Sequence, residues 1–151
     1  MKTTTLTGLA LSGLAFALMA APAFADGDAA KGEQIFNKCK ACHSIVKDDG
    51  TAVVKGGIVG PNLYGVVGRA AGSGHKGNSN DAFKYGTGLE AMNKKGLVWT
   101  ADLIAEYVTD PTAFVKKQTG DDSLRSNMTF KLPQGGADVA AYLASVAPAT
   151  K

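Results

Sequence analysis

Cysteine occurs twice in this 151-residue chain, histidine twice and tryptophan once. So few cysteines exclude a disulfide-stapled scaffold, which replaces a core with several bridges. There is no internal repeat and no low-complexity linker, which excludes solenoids and arrays. No charge of one sign dominates, since 16 Lys and Arg stand against 13 Asp and Glu. Global charge therefore offers no basis for a nucleic-acid partner, and any steering must come from where the lysines sit. No nucleophile–base constellation is visible, so no enzymatic chemistry is expected of the chain itself.

Long apolar runs are missing beyond the first residues. Lys2 opens the chain, Leu6 to Ala20 is mostly apolar or small, and Ala23-Phe24-Ala25 precedes the polar Asp26-Gly27-Asp28. This is the pattern of an export leader, and the apolar run is short of the ~20 residues a spanning helix needs. Residues 1–25 are expected to be cleaved and residues 26–151 to form one domain in the periplasm. Cleavage removes one charge, Lys2, from the formal +3.

The rest reads as helices separated by glycine-rich loops. Asp28 caps a helix expected to run to about Lys40, with Gly32, Ile35, Phe36 and Cys39 on one face. Asp48-Asp49-Gly50, Gly56-Gly57, Gly60-Pro61 and Gly72-Ser73-Gly74 read as turns. Val53-Val54 and Ile58-Val59 are too brief to read as strands. A short helix is expected over Leu89 to Lys94, a second after Thr100, and a third from Asp110 to Lys117. The last follows Gly136, with Val139, Tyr142, Leu143 and Val146 at helical spacing, and closes at Pro148. The fold class is all-α. So long a looped stretch normally counts against a compact fold, unless a large internal cofactor gives the loops something to pack against.

Both cysteines fall in one motif, Cys39-Lys40-Ala41-Cys42-His43. Cys-x-x-Cys-His is a c-type haem attachment signal. Each thiol adds to one vinyl group, and the next residue, His43, is held where it can bind the iron. A thioredoxin-like pair would want a βαβ context, and a zinc finger would not place His43 against Cys42. The other axial position has few candidates: His75 in a polar glycine loop, Met92 on a short helix, Met128 on a loop before the last helix, and the lysines. A five-coordinate haem that binds a small gas, or a haem subunit of a larger redox enzyme, stays open at this point.

The ordered set of Gly32-x-x-Ile35-Phe36, Cys39 to His43, Gly60-Pro61-Asn62-Leu63-Tyr64-Gly65, Gly68-Arg69, Trp99, Tyr107, Pro111, Met128-Thr129-Phe130 and Ala141-Tyr142-Leu143 resembles the class I cytochromes c. The likeness is greatest to the cytochrome c2 group of purple photosynthetic bacteria and spans the chain after the leader. It implies the class I cytochrome c fold, with helices and glycine-rich loops wrapped around one covalently bound haem. It implies Met128 as the distal ligand and the Pro61 carbonyl as acceptor for His43. It implies Arg69, Trp99 and Tyr85 around a propionate, and Tyr107 beside the methionine sulfur, with Ser126 a candidate partner of that sulfur. Gly32 and Phe36 would cross Val139 and Tyr142. The loops from Gly72 to Asp81 and from Lys116 to Asn127 are longer than in mitochondrial relatives.

Lys38, Lys40, Lys55, Lys116, Lys117 and Lys131 are expected around the exposed haem edge, as a docking face for acidic partners. The resemblance implies a monomeric electron carrier. Its donor would be a membrane quinol:cytochrome c oxidoreductase, and its acceptor a photosynthetic reaction centre or cytochrome c oxidase.

Overall fold

The computed structural model of the chain describes residues 27–74 and 83–147. The leader, His75, the rest of the loop to Asp81 except Gly72 to Gly74, and Pro148 lie outside the described residues.

The first helix, α1, spans Ala29–Phe36. Its cap is Asp28, whose carboxylate accepts from the amides of Ala30 and Lys31 at 2.9 and 3.2 Å. The helix stops short of the expected Lys40. Cys39 donates to Phe36 O at 2.8 Å and Cys42 to Cys39 O at 3.0 Å. This i→i+3 spacing tightens the chain into turns. The motif therefore leaves the helix in a compact coil.

A two-stranded antiparallel ribbon follows, β1 at Ile45–Val46 and β2 at Ala52–Val54. Strands this short carry no alternation to read, and Val53-Val54, too brief to read as a strand from sequence, forms most of β2. Asn62 bolts the ribbon to the next loop. Its side-chain oxygen accepts from the amides of Val46 and Tyr64, and its amide nitrogen donates to Val46 O at 2.8 Å.

Four further helices complete the described fold: α2 Thr87–Lys94, α3 Ala101–Thr109, α4 Pro111–Thr119 and α5 Gly136–Val146. Their ends follow local chemistry. Thr100 caps α3 through Leu103 N–H. Asp110 ends α3 and caps α4 through Ala113 N–H, with Pro111 in the first turn where no N–H is needed. Gly120, at φ +70°, closes α4 in the left-handed conformation.

The chain closes on itself where α1 crosses α5. A Cβ on Gly32 would strike the backbone carbonyl of Asp138, so only glycine allows the approach. Phe36 packs on Tyr142 with ring centroids 5.6 Å apart, and Asp28 N–H donates to the Asp138 carboxylate at 2.8 Å. The helix α3 runs against α5, and α2 rests on α4, where the Lys95 ammonium donates to Thr119 O. Among the described residues, no helix is long and apolar enough to cross a membrane.

Candidate functional site

The helices and the loop from Gly56 to Val66 do not fill the space between them. They leave a mainly apolar cavity of about 370 Å³, within the ~300–1,000 Å³ range of cofactor pockets. Phe36, Ile104, Val139 and Leu143 give it side chains from three helices. Cys39, Cys42 and His43 line it from the turns after α1, and Met128 and Phe130 line it from the loop before α5.

His43 is fixed from two directions. Its Nδ1 donates to the Pro61 carbonyl at 2.8 Å. A carbonyl only accepts, so the proton sits on Nδ1 and Nε2 keeps its lone pair. Gly60 lies flat against the ring, and a Cβ there would meet the imidazole atoms. Burial pushes the imidazole below its ordinary pKa, opposed by the bond to Pro61. The neutral ring is the form that ligates a metal.

No disulfide joins Cys39 to Cys42. Burial, and then the neighbouring Cys42, push the Cys39 thiol up. A reactive dithiol needs the opposite shift. Cys39 therefore lacks the electrostatics of a redox-active thiol.

Arg69 is buried, and burial pulls its pKa down. Its guanidinium donates to Asn62 O at 3.0 Å, and no carboxylate among the described residues pairs with it. It lines the cavity together with Trp99 and Tyr85, whose hydroxyl donates to Ser73 O at 2.7 Å. A cationic, anion-seeking group thus stands at the wall of an apolar space. Tyr107 packs on Trp99 and shares a 2.6 Å hydrogen bond with Ser126. Ser126 Oγ also accepts from Met128 N–H at 3.0 Å, so it grips the methionine's backbone and the Tyr107 phenol.

The structure therefore gathers Cys39, Cys42, His43, Pro61, Arg69, Tyr85, Trp99, Tyr107 and Met128 at one cavity. Met92 is fully buried on α2 and is not part of this lining. Of the six lysines, Lys38 borders the cavity. Lys40 and Lys55 border a neighbouring polar cleft with Glu33 and Tyr142. Lys117 pairs with Glu106 at 2.5 Å and Lys131 with Asp110 at 2.6 Å, so these two face local carboxylates. Lys116 is partly buried on α4. The sequence pattern does not mark Ile104, Val139 and Leu143 as cavity lining, because helical periodicity marks an inward face without saying what lies inside.

The lining suits a flat apolar cofactor with an anionic edge. It offers two thiols, one imidazole with a free lone pair, a thioether and a buried guanidinium with no carboxylate partner among the described residues. No protein-family model matches the chain. It is 56% identical over 129 residues to cytochrome c2 of Rhodobacter capsulatus, covering 85% of this chain and 89% of that one. It is 53% identical over 133 residues to cytochrome c-551 of Roseobacter denitrificans, covering 88% and 91%. The solved structure of the Rhodobacter capsulatus cytochrome c2 superposes with a TM-score of 0.74 at 55% identity, over 80% of this chain and 98% of that one. Ferric cytochrome c-550 of Paracoccus versutus gives 0.74 at 50%, over 82% and 100%.

The chain belongs to the class I cytochromes c. Within that class its likeness is to the cytochrome c2 and c-550 group. It is an electron carrier rather than an enzyme, with one covalently bound haem c. Cys39 and Cys42, the only cysteines of the chain, are the attachment points.

Proposed function

We propose that the chain is exported, loses residues 1–25, and carries single electrons in the periplasm. Electrons would pass from a membrane quinol:cytochrome c oxidoreductase to a photosynthetic reaction centre, a terminal oxidase, or both. When bound, the haem iron supplies a ferric–ferrous couple, with no substrate bond made or broken.

The residues then have distinct tasks. His43 Nε2 and the Met128 thioether would hold the iron. Pro61 holds the imidazole tautomer and orientation, as a backbone acceptor does for a metal-bound histidine. Arg69, Trp99 and Tyr85 would receive a propionate, an anion that no carboxylate among the described residues supplies to the buried guanidinium. Ser126 and Tyr107 keep the Met128 segment in place. A soft sulfur opposite histidine favours the ferrous state and raises the potential.

The observation that carries this reading is the bond from His43 Nδ1 to Pro61 O, which leaves Nε2 unprotonated in a cavity that Met128 also lines. An absorption spectrum of the purified holoprotein tests it in both redox states. The oxidised wild type is expected to show a methionine-to-iron charge-transfer band that Met128→Ala lacks. Rapid ligand binding by the resting reduced wild type would instead mark a five-coordinate gas binder. Intact-mass analysis of protein from its native host tests cleavage after Ala25, and a retained leader would refute that part.

A further inference from the structure

The segment that leads to Met128 is bracketed by one helix. The loop from Gly120 to Asn127 forms neither helix nor strand, and α2 with its flanking residues packs at both ends of it. At the loop's start, the Lys95 ammonium just past α2 donates to Thr119 O at 2.5 Å. That carbonyl lies in the last turn of α4, where carbonyls lack partners within the helix. A cation there also meets the negative end of the helix dipole. At the loop's end, α2 comes down on the backbone of Arg125. A Cβ on Gly88 would strike the Arg125 carbonyl and would crowd Val115 at 2.8 Å. The Asn127 side chain lies across Gly86, the cap of α2.

The helix itself is held from its other side. Met92 is fully buried, Asn93 Nδ2 donates to Ala71 O at 2.7 Å, and Gly72, at φ +64°, lies against the Leu89 carbonyl. A group added at Gly88 therefore moves the loop rather than the helix. One residue beyond Arg125, Ser126 bonds both the Tyr107 phenol and the Met128 N–H. A shift at Arg125 is passed to Met128 through Ser126. Neither Gly88 nor Lys95 lines the cavity, so enclosing a cofactor does not by itself call for them.

We propose that Gly88 is a positioning residue for the distal ligand and Lys95 a second hold, so that α2 keeps the Met128 loop closed over the cavity. The proposal rests on the reading of Met128 as that ligand. The process it controls is a local opening, in which the loop lifts while the rest of the molecule stays folded. A small base added to the solution can take the place of Met128 only in the open form. Its apparent affinity is its intrinsic affinity multiplied by the open fraction. Weakening either hold raises that fraction and leaves the cavity wall as it was.

The test is a titration of the ferric holoprotein with imidazole, followed by absorbance, beside urea unfolding of the same samples. Gly88→Ala is expected to bind imidazole about ten-fold more tightly than wild type, within the cost of overpacking against rigid backbone. Lys95→Met is expected to bind it about two- to five-fold more tightly, the scale for a charge at a helix terminus. Gly32→Ala strains the distant crossing of α1 on α5, and should stay within about two-fold of wild type despite a lower urea midpoint. In a Met128→Ala background, Gly88→Ala should add nothing, because no methionine remains to be displaced. Unchanged affinity in Gly88→Ala overturns the proposal. Should that variant not fold, unchanged affinity in Lys95→Met, altered at an exposed residue, overturns it instead. An equal gain in Gly32→Ala overturns it by making the effect one of general stability. A gain that persists in the Met128→Ala background overturns it by placing the effect in the cavity itself. A wild type without the methionine-to-iron band would sink the reading of Met128, and the wild-type spectrum shows that before any titration.

Discussion

Asn62 shows what one side chain contributes to the site. It is 1% exposed and satisfies three backbone groups of the ribbon and the next loop. Replacing it by alanine removes three hydrogen bonds to part-buried backbone groups, each worth ~0.5–1.5 kcal/mol. Asn62→Ala is expected to lower unfolding free energy by about 2–4 kcal/mol in a urea titration of the holoprotein. The sequence shows an asparagine after a proline, which reads as turn chemistry, and nothing in the residue type reveals that it is buried. The methionines make a contrasting pair. Met92→Leu is expected to keep the charge-transfer band and to cost less than about 1.5 kcal/mol, since the swap conserves volume. Met128→Leu should abolish the band while the protein stays coloured. Equal spectra for the two variants would refute the assignment of Met128 as ligand.

Among the elements, α3, α4 and α5 were legible because their signals are local. Thr100 and Asp110 cap, Pro111 fits a first turn, and apolar residues recur at helical spacing. The extent of α1 was not legible. Its apolar period runs on through Cys39, but the chain tightens after Phe36 to set the motif under the cavity. The crossing of α1 on α5 has no slack at Gly32, where the obstacle is backbone rather than a side chain that can swing away. Gly32→Ala is expected to destabilise the holoprotein by at least about 2 kcal/mol in thermal or denaturant unfolding, typical of overpacking at a rigid contact. The α3–α4 corner carries a pH dependence. The Lys131 ammonium, then the Ala113 amide, hold the Asp110 carboxyl below its ordinary value of 3.8. A carboxylate depressed in the folded state stabilises fully above that ordinary value and progressively less as pH falls through the lower folded one. Asp110→Asn is therefore expected to flatten the loss of stability below about pH 4 while keeping a capping side chain. An unchanged acid limb would refute this.

For the molecule as a whole, charge placement matters more than the formal +3. Lys117 and Lys131 are neutralised by Glu106 and Asp110, whereas Lys38 and Lys40 stand free of such partners among the described residues. Neutralising Lys38 and Lys40 is expected to slow electron transfer to a membrane partner more at low than at high salt. Equal slowing at both would refute steering by these two residues. The haem motif was legible from spacing alone, and the contact of Pro61 with His43 and the proposed roles of Arg69 and Trp99 only through resemblance. The division of the apolar residues into core and cofactor wall needed three dimensions. Phe36 faces the cavity on one side and Tyr142 on the other, and no period in the sequence encodes that double duty.

The clasp between the first helix and the last has a bearing on how the molecule is made. Asp28, Gly32 and Phe36 find their partners on a segment more than a hundred residues away, at Asp138 and Tyr142. Such distant pairing cannot form until the final stretch has been synthesised. A newborn polypeptide therefore keeps the stem that leads to Cys39 and Cys42 unlatched until its last segment is made. A molecule truncated before Gly136 would lose Val139 and Leu143 from the cavity wall and leave that stem without a partner.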